Sequence, residues 1–255
     1  MRDHSGPILL GQALLLGAAG LALYWVRRSI KGREAAERLA KERLQLSKLS
    51  IRLLAEPLPL DPPDAAYLFH QLDCNLESMK SAALEILRRF PAMKLFVLDV
   101  RNDRLPCPIP NGFGGGPALL AQLEGSGVSA SQIEVVDWDH EANPMIHTLI
   151  ESQLVVRHAK ARGWRSLIVA APPFHLPRAA MTIASVCSSE FPALQIYPHA
   201  GAPLPWEESA VHSQGMVGTR LEILDAELNR IERYTAKGDI APWEELEQRF
   251  RRARL

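Results

Sequence analysis

From residue 64 onward, short apolar runs alternate with amphipathic stretches. AAYLFHQL is apolar and aromatic, the pattern of a buried strand, and CNLESMKSAALEILRRF after it sets Leu76, Met79, Ala83, Ile86 and Leu87 on one helical face. KLFVLDV then reads as a second strand, and strand, helix and strand in that order make a βαβ unit with parallel strands. The alternation continues. PALLAQLEGSG is a short helix ending in glycine, QIEVVDW a strand, and PMIHTLIESQLVVRHAKARGW a longer helix with Ile150, Leu154 and Val155 inward. SLIVAA, RAAMTIASVCSSEF and LQIYPH supply strand, helix and a last parallel strand. Such a pattern predicts an α/β fold, a doubly wound, mainly parallel, Rossmann-like sheet with helices on both faces. The tail from Met216, MVGTRLEILDAELNRIERY and APWEELEQRFRRARL, reads as two amphipathic helices around the turn KGD, which pack on the domain or on a partner.

Before residue 64 the pattern changes. Pro7 to Val26, PILLGQALLLGAAGLALYWV, is apolar over about twenty residues, enough for a bilayer, with Tyr24 and Trp25 where an interfacial aromatic belt would lie. A cleaved signal peptide competes, but its basic region would be Arg2 alone. Arg27, Arg28, Lys31 and Arg33 follow at once, so the flanking charge puts the C-terminal part in the cytoplasm, or on the equivalent side of an organelle membrane. Residues 28–54 alternate charges and carry Ala36, Leu39, Arg43, Leu46 and Leu49 at near-helical spacing, as an amphipathic juxtamembrane helix would. EPLPLDPPD ends it. The expected organisation is therefore an anchor over 1–27, a charged helix and Pro-rich linker over 28–63, an α/β domain over 64–215 and C-terminal helices over 216–255.

Composition adds mainly exclusions. Acidic and basic residues number 29 each, so overall charge points to no nucleic-acid partner. Cys74, Cys107 and Cys187 are far apart and odd in number, which argues against a disulfide framework and a zinc site and for buried structural thiols.

In doubly wound sheets, ligands lie beyond the carboxyl ends of the strands. Strand 1 ends near His70, Gln71 and Asp73, strand 2 in Asp99, Arg101, Asn102 and Asp103, strand 3 in DWDHE, and strand 4 in PPFHLPRAA. The loop NGFGGGP, with Gly114 and Gly115, is either a phosphate cradle or a flexible connection matching neither standard nucleotide motif. Asp137, Asp139, His140 and Glu141 carry metal-ligand chemistry, but acidic residues after a strand also cap helices, and Asn143 before Pro144 has that position; no metal is assigned. His175 and Arg178 are the most specific feature. Pro177 suits a first helical turn, where free N–H groups favour an anion; Arg178 could fork onto a phosphate or carboxylate and His175 could shuttle a proton. Alternatively Arg178 bridges carboxylates of the chain and His175 caps the helix.

The order of elements, the segment HTLIESQLVVRHAKARGWRSLIVAAPPFHLPRA and above all FHLPRA resemble the YdcF/SanA/ElyC family of envelope-associated domains over roughly Asp64 to Gly201. Thr148, Phe174, His175, Pro177 and Arg178 match its pattern. His147 replaces the usual Asn, Ile150 stands where Glu is expected with Glu151 one place later, and Ala171-Pro172 stand for Thr-Ser. HQLDCN occupies the place of the family's Gly-Gly loop, and Gly115 lies near the position of a lost acidic residue. The resemblance implies a Rossmann-like fold, often membrane-anchored, acting in envelope integrity and lipid-linked glycan metabolism, and one branch is reported to bind S-adenosylmethionine. The SanA-like branch places its domain outside, against the charge reading above. On the residues and the resemblance together, the expected site binds an anionic small molecule or lipid-linked phosphate through Thr148, His175, Arg178, Gly114, Gly115, Asp99 and Glu151. His175 is the candidate catalytic residue, and Arg178→Ala is expected to abolish binding with the fold intact. The competing expectation is a degenerate, non-catalytic scaffold in a membrane complex, docked through its juxtamembrane and C-terminal helices.

Overall fold

A computed structural model describes residues 31–34, 36–106, 109, 112–211 and 216–252. The chain divides into two units, Met1–Leu46 and Ser47–Leu255. In the first, residues 31–34 and 36–46 are helical, with Ala36, Leu39 and Arg43 exposed. The apolar span Pro7 to Val26 lies outside the described residues, and among those described no helix is long and apolar enough to cross a membrane.

The second unit opens with helix α1, residues 47–54, which buries Leu49 and Leu53 and stops before the proline-rich segment. Five strands follow, β1 (Ala65–Leu68), β2 (Leu95–Asp99), β3 (Ile133–Asp137), β4 (Ser166–Ala171) and β5 (Gln195–Ala200). They form one wholly parallel sheet in the order β3-β2-β1-β4-β5. The crossovers are α2 (Leu76–Arg89), α3 (Gly115–Glu124), α4 (Thr148–Arg162) and α5 (Leu176–Glu190). The fold is thus the α/β, Rossmann-like class that the alternation predicts. β1 lies centrally between β2 and β4, so the strand order reverses there and a crevice opens beyond its carboxyl end.

Strand pleating sorts the core. Ala66, Leu68, Leu95, Val97, Ile168 and Ala170 face α2 and α3 and pack on Met79, Ala83, Ile86, Leu119 and Leu123. Side chains of the opposite parity turn to the other face, where Tyr67 lies 4.8 Å from Phe96 and Phe96 5.4 Å from the ring of His158 on α4. Because both faces are covered, every fully buried position of the central strands β1 and β4 is apolar or aromatic, as a buried parallel sheet requires.

Several boundaries differ from the sequence reading. α4 begins at Thr148, not at Pro144: Asp139 Oδ1 accepts from the backbone N–H groups of Glu141 and Ala142 and closes a turn first. The helix cap is His147, whose Nδ1 accepts from Leu149 N at 3.2 Å. Ile150 and Leu154 are only half-buried; the inward face is Thr148, Glu151, Ser152, Val155, Val156 and Ala159, polar where it meets the crevice. A small antiparallel hairpin, β6 (Ser209–Val211) and β7 (Val217–Thr219), precedes the tail and is too short to leave a period in the sequence. The tail helices α6 (Arg220–Lys237) and α7 (Trp243–Arg252) pack on α5. Ala241 N donates to Ser185 Oγ at 2.8 Å, Arg249 Nη2 donates to Leu194 O, and Leu246 and Phe250 are buried. The tail thus packs on the domain.

The glycine loop serves this packing. At Gly115, with φ +64°, an added Cβ would lie 2.1 Å from Val100 O, and at Gly116 it would lie 2.7 Å from Leu98 O. Gly116 N donates to Val100 O at 2.8 Å, so the glycines let the start of α3 press against the end of β2. Gly115→Ala is therefore expected to lose about 2–3 kcal/mol of unfolding free energy by urea titration. Gly127→Ala, with φ +87° but open space around it, should lose about 1 kcal/mol. Equal losses at the two positions would contradict the packing role.

Candidate functional site

The crevice at the strand reversal holds a cavity of about 380 Å³. Its walls come from His70, Gln71 and Leu72 after β1, from Phe174 and His175 after β4, from the first turns of α4 and α5, and from Phe113. The end of α6 and the following turn complete it with Tyr234, Lys237, Asp239 and Ile240. Two helix N-termini therefore face one space.

Glu151 is the first buried charge, 3% exposed. It stands on the first turn of α4, and the neighbouring strand end supplies its donors: the Tyr67 hydroxyl at 2.5 Å, His70 N at 2.8 Å and His70 Nδ1 at 3.2 Å. The other His70 ring nitrogen, Nε2, lies 2.9 Å from Leu98 O, so both ring nitrogens face acceptors. Burial alone would raise the Glu151 carboxyl. The His70 ring, the Tyr67 hydroxyl and the His70 amide outweigh it and hold the group below its ordinary value of 4.5. Burial and the adjoining carboxylate push the Tyr67 phenol well above its usual range, so it remains a donor.

The second buried network joins three helices. Arg178, 5% exposed, lies on the first turn of α5. Its Nε donates to Glu227 Oε2 at 2.5 Å and its Nη2 to Oε1 at 3.2 Å, a bidentate pair with a carboxylate of α6 that is 1% exposed. Nη1 donates to Thr148 Oγ1 at 2.7 Å, on α4. His175 Nδ1 lies 3.0 Å from Glu227 Oε2, and Arg230 Nη1 donates to Glu227 Oε1 at 2.9 Å. His175 precedes α5 as its cap residue but makes no side-chain capping bond, so its predicted capping role is replaced by pairing with Glu227. At the rim, partial burial and then the charge of Arg178 hold the His147 imidazole below its ordinary range.

Of the residues singled out from the sequence, the fold brings Thr148, Glu151, His175 and Arg178 to one cavity, and His147 with them. It does not bring Asp99, Gly114 or Gly115 there. Asp99 ends β2, one strand away from the reversal, and accepts from Arg101 Nε at 3.0 Å. Gly114 N donates to Asp73 Oδ1 at 3.0 Å, and Gly115 packs on Val100, so the loop contributes Phe113 instead of a phosphate cradle. Asp139 is occupied with its turn and His140 Nε2 accepts from Arg101 N at 3.1 Å; among the described residues no cluster of His, Cys, Asp or Glu could hold a metal. Burial pushes the Cys187 thiol up to about 12, as suits a packing cysteine, while Cys74 is exposed and Cys107 lies outside the described residues.

Sequence reasoning passed over Tyr67, Glu227, Lys237 and Asp239. Glu227 had left a trace: it falls four residues after Ile223 and four before Ile231, a carboxylate on the apolar stripe of an amphipathic helix. No protein-family model matches the chain, and no curated protein matches it.

Removing one partner of a buried ion pair strands the other. Arg178→Ala is accordingly expected to cost about 3–5 kcal/mol in urea unfolding, not to leave the fold untouched, and the double replacement Arg178→Met with Glu227→Leu should regain most of that loss. A single substitution costing under about 1 kcal/mol would show that the pair is not closed.

Acid stability follows from Glu151. Its folded-state pKa lies below the unfolded one, so its contribution is complete above about 4.5 and is lost as pH falls through the folded value. Urea midpoints measured from pH 7 to pH 3 should fall less steeply below pH 4.5 in Glu151→Gln than in the parent chain. Identical slopes would count against this assignment.

Proposed function

We propose that this chain is a membrane-anchored, divergent relative of the YdcF/SanA/ElyC-like domains whose crevice binds an anionic small molecule or a lipid-linked phosphate. The observation that carries the reading is the cavity walled by the first turns of α4 and α5, with Thr148, His175, Arg178 and Lys237 around it. Helix N-termini and the exposed Lys237 ammonium favour a negative group, and the reversal point of a doubly wound sheet is where such folds hold ligands. Apolar Leu72, Phe113, Ile146 and Leu149 line the same space and suit an apolar body attached to the anion. The anchor is the apolar span Pro7 to Val26, and the basic residues after it favour a domain on the cytoplasmic side. His175, oriented by Glu227, is the group positioned to move a proton should the bound compound react.

A second reading has its own support. Arg178 and His175 already hold a carboxylate of this chain, which is what a non-catalytic scaffold would retain once its ligand was lost. Calorimetry on the full chain in mild detergent separates the two, with inorganic phosphate and hexyl phosphate as probes. The ligand reading expects binding of at least one, weakened about tenfold by Lys237→Ala, a substitution at an exposed helix end that costs little stability. No binding heat at millimolar probe, with a stoichiometric protein complex on isolation from mild detergent, would overturn it in favour of the scaffold.

A further inference from the structure

The polar side chains around the cavity are nearly all spoken for. His70 and Glu151 hold each other, Arg178 holds Glu227 and Thr148, and Thr182 Oγ1 donates to Arg178 O. Gln71 is different. It is 8% exposed, lines the cavity immediately after β1, and its carboxamide has no hydrogen-bond partner among the described residues. Nor is that amide sealed in the interior, since it is not among the fully buried polar atoms left unpaired. A carboxamide offers two donors and an acceptor side by side, and burying it without partners is unfavourable unless something in the cavity meets them. Its backbone is held firm on both sides: His70 N donates to Glu151, and Asp73 N donates to Gly112 O at 2.7 Å. Asn75, a few residues on and 1% exposed, accepts from Arg220 Nε through Oδ1, which fixes its amide orientation and leaves Nδ2 as a donor on the same wall.

We propose that Gln71 is a specificity-determining residue that reads a neutral group of the ligand able to donate and accept together, either a hydroxyl or an amide edge. This rests on the anion-binding reading above and adds what else the ligand carries: beside its negative group, within reach of the β1 end, stands an uncharged hydrogen-bonding group. A purely apolar anion would leave Gln71 unpaired. A site built to bond such a group discriminates strongly against analogues that lack it.

The test compares the full chain and its Gln71→Leu variant in detergent with three probes. Hexyl phosphate carries the anion and an apolar tail, glucose 1-phosphate adds hydroxyls, and uridine 5′-phosphate adds an amide edge. Gln71→Leu should weaken glucose 1-phosphate or uridine 5′-phosphate about tenfold and leave hexyl phosphate unchanged or tighter. A loss for uridine 5′-phosphate alone points to the amide edge, whereas a loss for glucose 1-phosphate, with or without uridine 5′-phosphate, whose ribose also carries hydroxyls, points to a hydroxyl. The melting temperature of the ligand-free variant should be unchanged or higher, because the amide makes no hydrogen bond to the described residues that the substitution would break. A lowered melting temperature with equal loss for all three probes would make Gln71 a structural residue and overturn the proposal. So would unaltered affinity for both polar probes. If no probe binds the parent chain, the anion reading itself fails and the role of Gln71 with it.

Discussion

The buried carboxylate of Glu227 decides the form of the crevice. It receives two hydrogen bonds from Arg178 and one from Arg230, and it meets the ring of His175. Arg178 in turn reaches Thr148, so one carboxylate ties α6 to the first turns of both α4 and α5. Desolvating such a pair is expensive, and it holds only because the forked geometry satisfies the charges together. Through it the C-terminal helix becomes a wall, and the open groove of a doubly wound sheet becomes a cavity.

That pairing also sets what the cavity can offer a ligand. The cationic groups at the start of α5 face an internal anion, and Glu151 is held by Tyr67 and His70. Strong charges are thus balanced within the protein, and the crevice is polar without being a bare basic pocket. What it presents is the N-terminal turns of two helices, the amides of Gln71 and Asn75, and Lys237 at the rim. Selectivity in such a place comes from hydrogen-bond matching, since leaving a buried donor or acceptor unmet costs more than an added contact gains. The residues HQLDCN bring that kind of group to the end of β1.

The architecture was readable because its signals are local. Continuous apolar strands such as SLIVAA, separated by helices with apolar residues at helical spacing, specify a parallel sheet covered on both faces, and the observed sheet follows that alternation. The start of α5 was legible for the same reason, since Pro177 presets the first turn. The start of α4 was not. Pro144 offered an equally good local signal, and the contest was settled by the turn that Asp139 closes and by the His147 cap.

The site was legible only where its chemistry lies within one segment. The chain's own pattern determined the fold class, the strand ends where polar groups gather, and the neighbourhood of His175 and Arg178, because each depends on residues a turn or a strand apart. Which anion those two cations hold is another matter. Glu227 is 49 positions from Arg178, and Tyr67 is 84 from Glu151; such pairs form only when the sheet order and helix packing bring them together. The same holds for Gly115 and Asp99, whose residue types fit a binding loop but whose strand lies one place from the reversal. Tertiary structure alone decided which polar residues are consumed inside the protein and which stay accessible in the crevice. That distinction depends on distance and burial, and neither is written in local sequence.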